Sequence, residues 1–124
     1  MASKAAACHA WASGFGIPAY PAASVPKEAR MPYLTYSFGS AAWGEEPFAA
    51  EADLWYPAES GEAVPNAKAE EIGAALGGCG SVLRCDGGAM RVLRGSPFWQ
   101  ALRDDDPAVQ RRFINLEIEF YTND

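Results

Sequence analysis

Apolar and polar positions alternate most regularly in the stretch Arg112–Tyr121. Ile114, Leu116, Ile118 and Phe120 occupy even positions, and Asn115, Glu117 and Glu119 occupy odd ones. Successive side chains of a strand point to opposite faces, so one face here is wholly apolar and the other carries an amide and two carboxylates. Ten residues at the usual rise would cover about 33 Å. That is long for a small protein and predicts the central strand of a one-sided antiparallel sheet.

Two earlier segments share the same period. Tyr33–Phe38 places Leu34, Tyr36 and Phe38 on one side; Phe48–Tyr56 turns Phe48, Ala50, Ala52, Leu54 and Tyr56 inward and Glu51, Asp53 and Trp55 outward. They predict a hairpin whose connection, Gly39–Pro47, is longer than a minimal turn needs and carries Trp43 and Glu45-Glu46. A tighter hairpin is expected where Asp86-Gly87-Gly88 separates Ser81–Cys85 from Ala89–Arg94. Gly95–Gln100 is expected to interrupt it. Asp104-Asp105-Asp106-Pro107 is expected to form a turn, or a single helical turn, before the last strand.

Helical spacing is weaker. Ala69, Ile72 and Leu76 predict a helix over 66–76, with Pro65 in its first turn and Gly77, Gly78 and Gly80 ending it. An Ala-rich segment over 2–12, with Ser3 as a cap, predicts a short first helix ended by Gly14 and Gly16. Pro18, Pro21, Pro26 and Pro32 predict extended loop between it and the first strand. The order defines an α+β fold: one domain over 1–124, with a one-sided antiparallel sheet of about five strands and two helices packed on one face.

Composition narrows the function more than the fold. Apolar residues make up 49% and charged residues 21%, a globular balance. Ten Lys and Arg against sixteen Asp and Glu give a net charge of −6, which opposes wrapping a phosphate backbone. No apolar run is long enough to span a bilayer. The start through Cys8 superficially suggests a lipoprotein cleavage site, but the seven residues before Cys8 are too few for a secretory signal, so a cytoplasmic site of synthesis and assembly is expected. Cys8, Cys79 and Cys85 lack paired metal spacing and read as buried or idle thiols in preference to a zinc site made by Cys8-His9 with the distant cysteine pair; His9 is the single histidine, so neither a triad nor a His-rich metal cage has its material. No cofactor and no metal are expected.

Candidate chemistry is thin. Glu117 and Glu119 share a strand face, and Glu51 and Asp53 are expected to join them; an acid–base pair would need a pocket that splits their pKa values, and the pattern offers an open surface. Gly95-Ser96-Pro97-Phe98-Trp99-Gln100 lacks the nucleophile-elbow pattern. It reads either as a turn with two aromatic core anchors or as a protein contact, since aromatics are enriched at interface hot spots. The three aspartates lack calcium-loop spacing, and the glycines lack the Gly-Lys-Ser/Thr of a phosphate loop.

The succession Val25-Pro26, Met31-Pro32-Tyr33-Leu34-Thr35-Tyr36, Leu54-Trp55-Tyr56, Ala69-Glu70-Glu71-Ile72, Cys85-Asp86-Gly87-Gly88, Arg94–Gln100 and Arg111–Phe120 resembles the siphophage tail terminator family, small tail-completion proteins also labelled minor capsid or tail-to-head joining proteins. The likeness runs from about residue 16 onward and is most specific over Arg94–Gln100; the Ala-rich first helix departs from it. It implies a non-enzymatic virion protein, assembled in the host cytoplasm as a six-fold homo-oligomeric ring on the tail tube. Its partners would be the major tail-tube protein and a head-completion or connector protein, with DNA passing through the lumen without specific binding. On that reading Glu51, Asp53, Glu117 and Glu119 would line the lumen, and Trp43, Arg94, Ser96, Pro97, Phe98, Trp99 and Gln100 would meet neighbouring subunits or the tube. A head-side adaptor and a monomeric ligand- or peptide-binding α+β module are the alternatives. An RNA-binding sheet fits less well because the exposed face is acidic.

Overall fold

A computed structural model describes residues 2–123. Strict alternation makes β6 (Val109–Thr122) the centre of the molecule: from Arg112 to Thr122 every even position is buried. It lies between β3 (Phe48–Pro57) and β5 (Gly88–Leu102) in a curled six-stranded sheet of order β1-β2-β3-β6-β5-β4, where β1 is Ala19–Pro21, β2 Tyr33–Ser37 and β4 Ser81–Cys85.

Both helices lie over the apolar face. Ser3 caps α1 (Lys4–Ala12) by accepting from the Ala6 N–H at 3.1 Å, and α1 buries Ala7, Cys8 and Ala12. A single 3₁₀ turn, Ser13–Phe15, follows and ends at Gly16 with φ 83°, a left-handed conformation suited to glycine. Helix α2 (Ala63–Leu76) buries Pro65, Ala69, Ile72, Gly73 and Leu76. Ala7, Cys8, Ala12, Ala69, Ile72 and Leu76 form one core with Leu34, Leu54, Met90, Val92, Ile114, Leu116 and Ile118 from the sheet.

The α+β class and the one-sided arrangement hold, but the sheet has six strands and is mixed. The additional strand, β1, runs parallel to β2 inside the proline-rich segment expected to be loop. Pro18 and Pro21 do not prevent it, because its bonds are made by other groups: Leu34 N–H donates to the Pro18 carbonyl at 2.8 Å, and Ala22 N–H donates to the Tyr36 carbonyl at 2.9 Å. The other four strand pairings are antiparallel.

The Gly95–Gln100 segment does not end β5. Arg94 pairs with Leu116 and Trp99 with Ile114, so the stretch 95–98 faces Asn115 alone as a wide irregularity in a continuous strand. Asn115 Nδ2 fills the gap by donating to the Pro97 carbonyl at 2.7 Å. A Cβ on Gly95 would lie 2.8 Å from that of Asn115, so only glycine lets the strands approach here. The Asp104–Pro107 segment is a turn with no helix: Asp104 and Asp106 accept from the N–H groups of Asp106 and Ala108 at 3.0 and 2.9 Å.

Candidate functional site

With both helices on one side, the opposite face of the sheet is left open. Register decides which side chains meet there. Thr35 pairs with Asp53 and Asp53 with Phe113; Ser37 pairs with Glu51 and Glu51 with Asn115. Glu117 lies between Ala49 and Leu93, and Glu119 faces Arg91. The four carboxylates expected on one face, Glu51, Asp53, Glu117 and Glu119, do share it.

They are not equivalent. Arg111 Nε donates to Asp53 Oδ1 at 2.7 Å, and its guanidinium lies 5.1 Å from the Trp55 ring centre and 6.0 Å from that of Phe113. That hydrogen bond raises the Arg111 pKa. Trp55 is fixed in turn, its indole N–H donating to Thr35 Oγ1 at 2.9 Å. At the other end Glu119 Oε1 accepts from the Tyr121 hydroxyl at 2.6 Å and from Arg91 Nη2 at 2.6 Å. Those two bonds, Tyr121 first, hold the Glu119 carboxyl below the ordinary glutamate range and raise Tyr121 and Arg91. Glu51 and Glu117 are exposed and form no ion pair among the described residues. They are diagonal neighbours on β3 and β6, since Glu51 faces Asn115 and Ala49 faces Glu117. The face therefore has charge-compensated ends and a free acidic centre.

The aromatic candidates separate. Trp43 is 70% exposed, and its ring meets that of Tyr121 edge-on at 5.2 Å. Its loop is anchored: Trp43 N–H donates to the Thr122 carbonyl at 3.0 Å, and the Glu45 carboxylate accepts from Ala42 N–H. Phe98 is buried at 8%, lying against Gly73 of α2 with the Arg94 guanidinium 4.7 Å over its ring. Trp99 is half-buried, and Arg94, Ser96, Pro97 and Gln100 are exposed on the same irregular stretch. Phe98 is thus a core anchor, and the residues around it present a surface.

Sequence reasoning missed Arg112. It continues the inward face of β6 and is 2% exposed, with Nε donating to Asn66 Oδ1 at 2.6 Å and Nη1 to the Arg111 carbonyl at 3.1 Å. Its even position, in phase with Ile114, Leu116, Ile118 and Phe120, was the available signal. An apolar cleft of about 580 Å³ lies between α1 and the end of β2, lined by Ala5, Cys8, Pro21, Tyr36 and Phe38 among others. Among the described residues no group of three His, Cys, Asp or Glu is placed to hold a metal ion, and no helix is long and apolar enough to cross a membrane. No protein-family model, curated protein or solved structure matches the chain.

Proposed function

We propose that this chain is a virion subunit that caps a phage tail tube as a homo-oligomeric ring, ends tube polymerisation and joins the tail to the head connector. The observation that carries the reading is the open sheet face, with Glu51 and Glu117 free at its centre and Asp53 and Glu119 tied to arginines. A ring built from head-to-tail contacts that close by rotation can turn one such face of every subunit toward its axis. Free carboxylates there repel the phosphate backbone, and screening over roughly 8–10 Å keeps the effect local to the wall. Trp43, Arg94, Ser96, Pro97, Trp99 and Gln100 are the candidate contacts with neighbouring subunits or the tube. The sequence likeness over Arg94–Gln100 supports the same reading.

The assembly test is to mix the protein with tube subunits and measure ring mass and tube length. Tubes that keep growing, with the protein still monomeric, would refute the function. The lumen test is Glu51→Lys with Glu117→Lys, which adds positive charge without breaking either arginine bridge. Slower DNA ejection from particles with intact rings is expected; unchanged ejection removes these residues from the lumen. Labelling the subunit in virion micrographs separates a tail-end position from a head-side adaptor. The apolar cleft beside α1 favours one second reading, a monomeric ligand- or peptide-binding module. That reading gains if the protein stays monomeric beside tube subunits and takes up an apolar dye that Cys8→Trp excludes.

A further inference from the structure

The two edges of the sheet differ. Strand β1 is three residues long, with Pro18 before it and Pro21 at its end, both common devices for blunting an edge. Strand β4 has five residues and no proline. The loop Asp86-Gly87 joins Cys85 to its partner Gly88, and in a two-residue hairpin the flanking pair exchanges hydrogen bonds. Counting back, Leu83–Met90 and Ser81–Val92 are the bonded pairs, so the N–H and C=O groups of Val82 and Arg84 point away from β5. These outward groups make no hydrogen bond with another described part of the chain.

The side chains along that edge are equally uncommitted. Val82 is 66% exposed, although β-branched side chains in strands normally pack against a neighbour. Arg84 is exposed and has no ion pair among the described residues, unlike Arg91 and Arg111. Both lie on the open face, since Val82 faces Arg91 and Arg84 faces Ala89.

We propose that β4 is a docking edge that accepts an extended segment of a partner protein as a seventh strand, with an apolar residue beside Val82 and an acidic residue two positions away beside Arg84. The backbone groups of Val82 and Arg84 supply the hydrogen bonds, and the two side chains select the alternation. A second copy of the chain fits this edge poorly. Antiparallel β4–β4 pairing brings two Arg84 guanidiniums opposite or diagonal to each other on one face, where like charges repel. The inference does not depend on the tail reading, because ring formation and tube length are scored separately.

The test uses a fluorescein-labelled peptide, Ser-Thr-Val-Thr-Glu-Thr-Ser, and a version with Lys in place of Glu. Anisotropy should rise with the Glu peptide and amide exchange at Val82 and Arg84 should slow. Val82→Pro removes an outward donor and should weaken binding by up to about tenfold, the equivalent of one hydrogen bond at the upper end of its net range. Arg84→Glu should exchange the preference for the Glu peptide for the Lys peptide, by roughly two- to fivefold as for an exposed ion pair. Arg84→Glu alters only an exposed side chain, so it decides the matter even if Val82→Pro fails to fold. No anisotropy change up to the peptide's solubility limit overturns the proposal, as does binding indifferent to both substitutions. A dimer by sedimentation equilibrium that Val82→Pro dissolves would assign the edge to a second copy and overturn it too.

Discussion

Phe98 separates two roles that aromatic residues in one short stretch could share. Its ring is buried against Gly73, where an added Cβ would lie 2.9 Å from Phe98 Cε2. Phe98→Ala therefore opens a cavity under α2 and should cost about 3–4 kcal/mol. For 124 residues, 1 kcal/mol corresponds to about 4 °C, so the thermal midpoint should fall by roughly 12–16 °C. Trp99→Ala, beside it and half-buried, should cost about 1–2 kcal/mol, since less apolar area leaves water. The decisive addition is Gly73→Ala. In the native background its gain in helix propensity, about 1 kcal/mol, is opposed by overpacking against the ring, about 1–3 kcal/mol. In the Phe98→Ala background the ring is gone, and the same substitution should stabilise by about 1 kcal/mol. Far-ultraviolet circular dichroism with urea or heat reads the native protein and all four variants. A Phe98→Ala loss below about 1 kcal/mol, or a Gly73→Ala effect of one sign in both backgrounds, would refute the packing argument.

Gly88 has φ 148°, and a Cβ there would run into the Tyr121 carbonyl oxygen; Gly88→Ala should cost more than about 2 kcal/mol, whereas Gly78→Ala, with open space around it, should change stability by no more than about 1 kcal/mol in urea titration. Cys8 and Cys85 are buried and Cys79 is exposed, and burial, with Cys85 adding, pushes the Cys8 thiol up to about 12; a thiol reagent at pH 8 should titrate one cysteine in the native protein and three in denaturant. Folded Glu119 is depressed below its ordinary range, so its bridge contributes above that range and is lost as pH falls through the lowered folded value. Urea midpoints of Glu119→Gln should therefore converge on those of the native protein in acid and lie below them at neutral pH, and parallel curves would exclude the linkage.

What was readable in the sequence followed from period. The even positions of β6 and β3 declare their buried side without help from the rest of the chain, and Asp86-Gly87-Gly88 declares the hairpin after Cys85, which the structure tightens to a two-residue turn by pairing Cys85 with Gly88. Strand β1 was hidden because three residues carry too few alternations to register, and prolines beside them argue against pairing. The irregular stretch 95–98 shifts the phase of β5, so from sequence the strand reads as stopping at Arg94, although it runs on to Leu102. The four carboxylates were assigned to one face correctly, yet their inequality was not legible. Whether Asp53 meets Arg111, or Glu119 meets Arg91, depends on the strand pairings and on side-chain reach across them. Alternation alone does not specify those pairings.

The place of β6 also sets an order of events. As the chain leaves the ribosome, β1-β2-β3 and β4-β5 emerge first as two partial sheets, and only β6 joins them, through β3 on one side and β5 on the other. A nascent chain extended through Leu102 holds two unpaired inner edges and lacks the core side chains Ile114, Leu116, Ile118 and Phe120, so its cooperative folding is expected to wait for β6 to clear the exit tunnel. Until β6 is in place, those edges are exposed to the wrong partners. The same arrangement makes β6 a natural seam for reconstitution: a fragment ending at Leu102 and a peptide spanning Val109–Thr122 each lack what the other supplies.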